Sequence, residues 1–254
     1  MPNHERAFRT EAVILKRRDF GEADRLLTVL TPAHGKLDVI AKGARKPTAS
    51  KTGHVELFTR VDMLIHRGRT FDIATQAVLI EPYLALREDL NRGAYANYTA
   101  ELLDRFTMLG EDDYEALFSL IDTTFQYLCD TDDPRLAARY YEIRLLDIVG
   151  FRPELTRCVI TGEEIQPEDQ FISYAEGGIV SPSAARNTVG LVPITLPTLK
   201  LLRYMQRSRY EQVRHLSLSE AVHMEAERLL LGYITAILER HLQSVDFIRR
   251  IRTH

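Results

Sequence analysis

Three features of the sequence predict an α+β, multidomain fold. Short apolar–polar alternations fill residues 1–80, a helical apolar period replaces them after Pro82, and a stretch rich in Pro and Gly, residues 151–192, interrupts the helical part. A period of two marks half-buried strands, and a period near 3.6 marks amphipathic helices. The expected division is a β-domain over 1–80 and a helical domain over 81–254, interrupted at 151–192.

Within the β-domain, Glu11–Lys16, Arg25–Leu30 and Lys36–Lys42 read as the first three strands. Gly21 breaks the first pair, and Thr31-Pro32-Ala33-His34-Gly35 closes the second as a tight hairpin. Val55, Leu57, Thr59, Val61, Met63 and Ile65 alternate with polar neighbours as a fourth strand. Arg67-Gly68-Arg69-Thr70 turns the chain into a fifth, with Phe71, Ile73, Thr75, Ala77 and Leu79 on one face. Five short strands make a small antiparallel barrel, for which the OB-fold is the natural choice.

Beyond Pro82, Tyr95, Tyr98, Leu102, Phe106 and Leu109 form one helical stripe that Gly110 ends. Leu117, Ile121, Phe125 and Leu128 form a second. Asp133-Pro134 is an N-cap followed by proline at the first helical position, and Leu136, Tyr140, Ile143 and Leu146 follow until Gly150. Helices resume at Pro197–Arg207 and over about Ser219–Leu242, where Ser219 can cap.

Charge is divided unevenly. Residues 1–80 hold 14 Lys and Arg against 9 Asp and Glu, a balance of +5; of the whole-chain 33 and 36, the remainder holds 19 and 27, a balance of −8. Such asymmetry points the N-terminal part at a polyanion. Only Cys129 and Cys158 occur, which fits a reducing cytoplasm, and no stretch has the length and apolarity of a membrane span.

The segment 42–51 carries that charge most densely, with Lys42, Arg45, Lys46 and Lys51 and no acid. Gly43 and Pro47 keep it out of regular structure, so it is expected to be an exposed loop. Lys16, Arg17 and Arg18 are expected in the first inter-strand loop, Lys36 at the start of the third strand, and Arg67 and Arg69 in the last turn. On an OB-fold these loops and the strand 2–3 face bind single strands. Few aromatics accompany them. Phe58 lies where a base could stack, although packing beneath the following helix explains it better. Binding dominated by phosphate and blind to sequence is the consequence. On the third helix, Arg135 and Arg139 stand four apart beside Tyr140 and Tyr141, a row suited to an acidic peptide ending in an apolar residue; an intrahelical pair with Glu142 is the competing explanation.

Enzymatic signatures are missing. His34-Gly35-Lys36-Leu37 lacks the first glycine and the hydroxyl of a phosphate-binding loop, and no GxSxG, HExxH or GxGxxG occurs. Asp130, Asp132 and Asp133 could gather a metal, but capping accounts for Asp133. Around Cys158 a zinc knuckle would need a ligand at 161 and a second cysteine pair, whereas Thr161, Ser181 and Ala184 stand there. Cys158 is better explained as a small buried hydrophobe, and no metal or other cofactor is expected.

Several stretches together resemble one family. Glu11-Ala12-Val13-Ile14-Leu15, Gly21-Glu22-Ala23-Asp24-Arg25-Leu26-Leu27-Thr28-Val29-Leu30-Thr31 and Gly35-Lys36 leading to Lys42-Gly43-Ala44-Arg45 are similar to the RecO family of bacterial repair and recombination mediators. So are Tyr141–Pro153, Arg157-Cys158 and Glu176-Gly177-Gly178. The resemblance implies an OB-fold joined to a helical domain, with an insertion shaped like a zinc knuckle but here without its ligands. It also implies a cytoplasmic, nucleoid-associated DNA-binding protein of the RecFOR pathway, not an enzyme. Such a protein binds single- and double-stranded DNA, anneals complementary strands, docks the acidic tail of single-strand-binding protein and, with RecR, helps load RecA. By family position, Lys42, Arg45 and Lys46 are DNA contacts. An adaptor for an acidic protein and a metal-dependent nuclease remain the alternatives.

Overall fold

A computed structural model of the chain describes residues 6–45, 55–109, 114–238 and 243–252. Two compact units emerge, one of Met1–Asp130 with Ser244–His254 and one of Thr131–Gln243. The first runs past the expected boundary at 80, because the first helices pack on the barrel.

In the first unit, β1 (Ala7–Phe20), β2 (Asp24–Thr31), β3 (Gly35–Ala41), β4 (Arg60–His66) and β5 (Asp72–Glu81) close an OB-fold barrel in the order β1-β2-β3-β5-β4. Four pairings are antiparallel and β3–β5 is parallel. A closed barrel with an odd number of strands cannot alternate direction throughout, so the fully antiparallel expectation fails at one seam. The barrel interior is filled by Ile14, Leu27, Val39, Val61, Met63 and Ile65, all at 0% exposure.

Strand β1 is longer than its sequence pattern suggests. Its first half pairs with β4 and its second with β2, and the register shifts between Ile14 and Lys16. The extra residue, Leu15, bends the strand and carries it through Phe20. The fourth strand is shorter than expected because Phe58 adopts a φ of 60°, which breaks the alternation before Arg60. Phe58 is buried and meets Phe125 edge to face at 5.4 Å, so it does not present a stacking surface.

Helices α1 (Ala85–Glu88), α2 (Leu90–Phe106) and α3 (Glu115–Asp130) complete this unit with the terminal α9 (Gln243–Arg252). Asp89 caps α2 by accepting the Arg92 N–H at 2.9 Å. Asp122 of α3 accepts from the Tyr83 hydroxyl and, at 2.9 Å, from Arg60 of β4, which pins α3 to the barrel.

The second unit begins with α4 (Pro134–Ile148), where Asp133 accepts the Leu136 N–H at 3.1 Å as the sequence predicts. The insertion then forms β6 (Gln170–Ser173), β7 (Gly178–Val180), the short α5 (Pro182–Ala185) and β8 (Leu191–Ile194), a sheet ordered β7-β6-β8. Backbone bonds hold it: Ile179 N–H to the Glu154 carbonyl at 2.8 Å and Val159 N–H to the Ile179 carbonyl at 2.8 Å. Gly178 is required by this approach, since a Cβ there would sit 2.5 Å from the Glu154 oxygen. Ile179 is a buried apolar support of the insertion, whereas Ile160 is 46% exposed. Helices α6 (Leu196–Arg207), α7 (Tyr210–Val213) and α8 (Glu220–Leu238) follow. The Ser219 hydroxyl accepts the Val222 N–H at 3.4 Å. No helix among the described residues is long and apolar enough to cross a membrane.

Candidate nucleic-acid interface

The Lys42–Arg45 turn is built by its neighbours on the β1–β2 hairpin. Gly43 adopts a φ of 69°, which costs glycine little, and its N–H reaches the Asp24 carboxylate at 2.7 Å. The Arg45 N–H donates to the Ala23 carbonyl at 3.0 Å. Ala44 is fully buried in the barrel core, leaving Lys42 and Arg45 exposed on either side. This geometry ties the Gly21–Arg25 motif to the Lys42–Arg45 motif: the acid in one orients the turn in the other. Lys46 and Lys51 lie outside the described residues.

The turn between β4 and β5 adjoins the same hairpin, because the Phe20 and Phe71 rings meet edge to face at 5.9 Å. Arg69 is exposed there. Arg67 is directed elsewhere, pairing with Asp72 at 2.9 Å while its guanidinium lies 4.5 Å from the Phe8 ring centroid.

Lys16, Arg17 and Arg18 lie within β1, opposite Thr28, Leu27 and Leu26, and not in a loop as the sequence suggests. Lys16 pairs with Asp104 of α2 at 2.5 Å, and Arg17 pairs with Glu56, which also holds Arg25 at 2.9 Å. Arg45 sits 3.5 Å from Asp19. Among the described residues, Arg18, Lys42 and Arg69 make no ion pair.

Lys36 corrects the expectation of an exposed cation. It is 6% exposed, and its ammonium donates to the Asp104 carboxylate at 3.1 Å and to the Asp104 and Thr107 carbonyls at 2.8 and 2.6 Å. It thereby satisfies carbonyls at the C-terminal end of α2, where a cation is also favoured by the helix dipole. Burial opposes ionisation of Asp104, but the ammonium groups of Lys16 and Lys36 outweigh it and hold that carboxyl below its ordinary value.

A groove of about 490 Å³ opens where the outer face of β1, β2 and β3 meets α2. Lys16, Arg17 and Arg18 line one side; Asn97, Asp104 and Leu109 line the other. Sequence reasoning missed Asp104, Glu56 and Asn97, and no local signal announces them: Asp104 and Glu56 reach the site through ion pairs distant in sequence, and Asn97 through its position on α2.

In the second unit, Arg139 makes the intrahelical pair with Glu142 that the sequence offers against a peptide contact, but it does so in the core and not on an exposed face. It is 4% exposed and pairs with Glu142 at 2.7 Å and Glu227 at 3.4 Å, so it is a core ion pair and not a peptide contact. Arg135 is held by Glu220 at 2.8 Å. Asp133 also lies 3.1 Å from the His223 imidazole nitrogen, beside the Leu136 N–H that it caps. Cys158 is 1% exposed, and its sulfur accepts the Ser181 N–H at 3.4 Å. Burial opposes its ionisation, but hydrogen bonds from Ser181 and Thr161 bring the thiol down to about 6. Among the described residues no group of three or more His, Cys, Asp or Glu side chains is placed to hold a metal.

A closed five-stranded barrel with exposed cations on adjoining turns defines the class of OB-fold modules with a basic surface. The chain belongs to the RecO family of DNA repair proteins. The family model for the Recombination protein O N terminal matches residues 6–83, and that for the Recombination protein O C terminal matches residues 87–246. The DNA repair protein RecO of Roseiflexus sp. is 38% identical over 248 residues, covering 98% of this chain and 87% of that protein. That of Desulforamulus reducens is 33% identical over 244 residues, 96% of this chain and 94% of that protein. That of Symbiobacterium thermophilum is 31% identical over 250 residues, 97% and 98%.

Proposed function

We propose that this chain is a non-enzymatic recombination mediator that binds single- and double-stranded DNA and anneals complementary strands. With RecR it helps load RecA onto DNA coated by single-strand-binding protein, whose acidic tail it docks, and it works in the cytoplasm at the nucleoid. The observation that carries the reading is the set of exposed cations Arg18, Lys42 and Arg69, without ion pairs among the described residues, on joined parts of one OB barrel. Arg45, only 3.5 Å from Asp19 and exposed, adds to them. Bringing two DNA strands together costs Coulomb repulsion, and cations that neutralise phosphates on both offset it. A surface poor in stacking aromatics leaves bases free to pair.

Binding measured over a salt series tests this. Each of Arg18→Ala, Lys42→Ala and Arg69→Ala is expected to flatten the slope of log affinity against log salt by about 0.7–0.9. Annealing of complementary oligonucleotides is expected without magnesium and without cleavage. Unchanged slopes, or neither binding nor annealing, favour an adaptor for an acidic protein; magnesium-dependent cutting favours a nuclease.

A further inference from the structure

We propose that the groove between the barrel and α2 seats one unstacked nucleotide of a single strand, with the base inside and the phosphate at the β1 cations. This rests on the DNA-binding reading above and assigns it a structural basis for preferring single strands. The volume of about 490 Å³ lies within the roughly 300–1,000 Å³ of small-molecule clefts, enough for a nucleotide. Leu26, Leu57 and Leu109 give it apolar walls. Asn97 is exposed on α2 and its side chain makes no hydrogen bond among the described residues. An amide offers two donors on nitrogen and an acceptor oxygen, which complements the hydrogen-bonding edge of a base.

The charges sort accordingly. Lys16 and Lys36 share the Asp104 carboxylate, Arg17 is matched by Glu56, and the second lining carboxylate, Asp38, accepts from the Thr28 hydroxyl at 2.6 Å. Arg18 alone of the lining cations has no ion pair among the described residues, one guanidinium for one phosphate. A small carboxylate would leave the leucine walls unused. A duplex base would first have to leave its stack and its partner, at a cost the groove does not remove. The groove therefore favours an unpaired strand, a distinction that cations alone make poorly. Annealing would withdraw the base as it finds its complement.

The test uses the full chain, an oligothymidylate carrying one 2-aminopurine, the matching duplex, and the neutral changes Asn97→Ala and Asn97→Leu. Both suit an exposed helical position. On binding to the unaltered chain, 2-aminopurine emission is expected to rise as the base unstacks. Asn97→Leu, which removes the amide and fills the groove mouth, is expected to abolish that rise. It should lower single-strand affinity about fivefold, the low end of base-contact effects because the walls are aliphatic. Asn97→Ala should fall between. Duplex affinity and both salt slopes should stay unchanged, since no charge is altered. Single-strand affinity equal to the unaltered chain in Asn97→Leu, or equal affinity for an abasic strand, overturns the proposal while leaving phosphate binding intact. So does loss of an acidic, apolar-ended peptide in Asn97→Leu with strand affinity preserved. If the DNA reading itself fails, no strand binds at all, which is a different result.

Discussion

Lys36 and Lys42 begin and follow the same strand, yet the structure gives them opposite work, and exchanging their phenotypes is the sharpest test. In Lys36→Met the apolar stem is kept and the ammonium is lost. Among the described residues, the Asp104 carboxylate then retains only Lys16, at 2.5 Å, and the carbonyls of Asp104 and Thr107 lose donors at 2.8 and 2.6 Å. Breaking a buried pair costs about 3–5 kcal/mol; the surviving Lys16 contact places this case near 3 kcal/mol. For a unit the size of Met1–Asp130 with Ser244–His254, each kcal/mol moves Tm by roughly 3–4 °C, so a fall of about 10 °C is expected by circular dichroism. Lys42→Ala, at an exposed turn, should stay within about 2 °C and instead flatten the salt slope of DNA binding by about 0.7–0.9. Adding Asp104→Leu to Lys36→Met should recover part of the lost stability, because the buried charge leaves with its partner while the two carbonyls stay without their donor. A Lys36→Met protein with unchanged Tm and a flattened salt slope would refute the buried assignment and return this lysine to the phosphate surface.

Three further outcomes follow from the same contacts. Asp104 titrates lower in the folded chain than its ordinary 3.8, so its contribution is complete above that value and disappears as pH falls through the lower folded one. The gap in urea midpoint between the unaltered chain and Asp104→Asn should therefore be constant near pH 6 and close on acidification below about pH 4. Arg139→Met leaves Glu142, whose side chain is 0% exposed, without its 2.7 Å partner. Urea unfolding should show a loss of about 3–5 kcal/mol, and an unchanged midpoint with lost binding of an acidic peptide would restore the partner-contact role. Glu56→Gln releases Arg17 and Arg25 from their shared carboxylate. DNA affinity should rise severalfold at low salt and the slope steepen by about 0.7–0.9 per guanidinium engaged; an unchanged titration removes Arg17 from the interface.

Features set by local chemistry were legible in the sequence, and those set by distant partners were not. The five strands, the helical switch after Pro82 and the Asp133-Pro134 cap depend on periodicity and on atoms within a few residues. The course of β1 through Lys16–Arg18 depends on a bulge at Leu15, which no glycine or proline marks. Phe58 at φ 60° likewise lacks the glycine that would betray it. Lys36 looks like any polar strand residue until Asp104, 68 positions away, arrives beside it. Arg139 looks like a surface arginine because burial of an ion pair depends on Glu227 of another helix.

Counting cations therefore overstates the surface proposed to meet DNA, but by less than the number of ion pairs suggests. An exposed pair contributes only about 0–1 kcal/mol, so Arg45 beside Asp19, or Arg17 beside Glu56, can exchange a carboxylate for a phosphate at little cost. On the proposed function, the carboxylate pairs with the guanidinium until a phosphate replaces it. A buried pair cannot make that exchange: moving Lys36 outward would strand Asp104 and two helix-terminal carbonyls without their donor. The useful division among the basic residues of this barrel is thus between partners that water can replace and partners that it cannot reach. Arg17 and Arg45 fall on the first side, beside Arg18, Lys42 and Arg69, which are unpaired among the described residues, and Lys36 falls on the second.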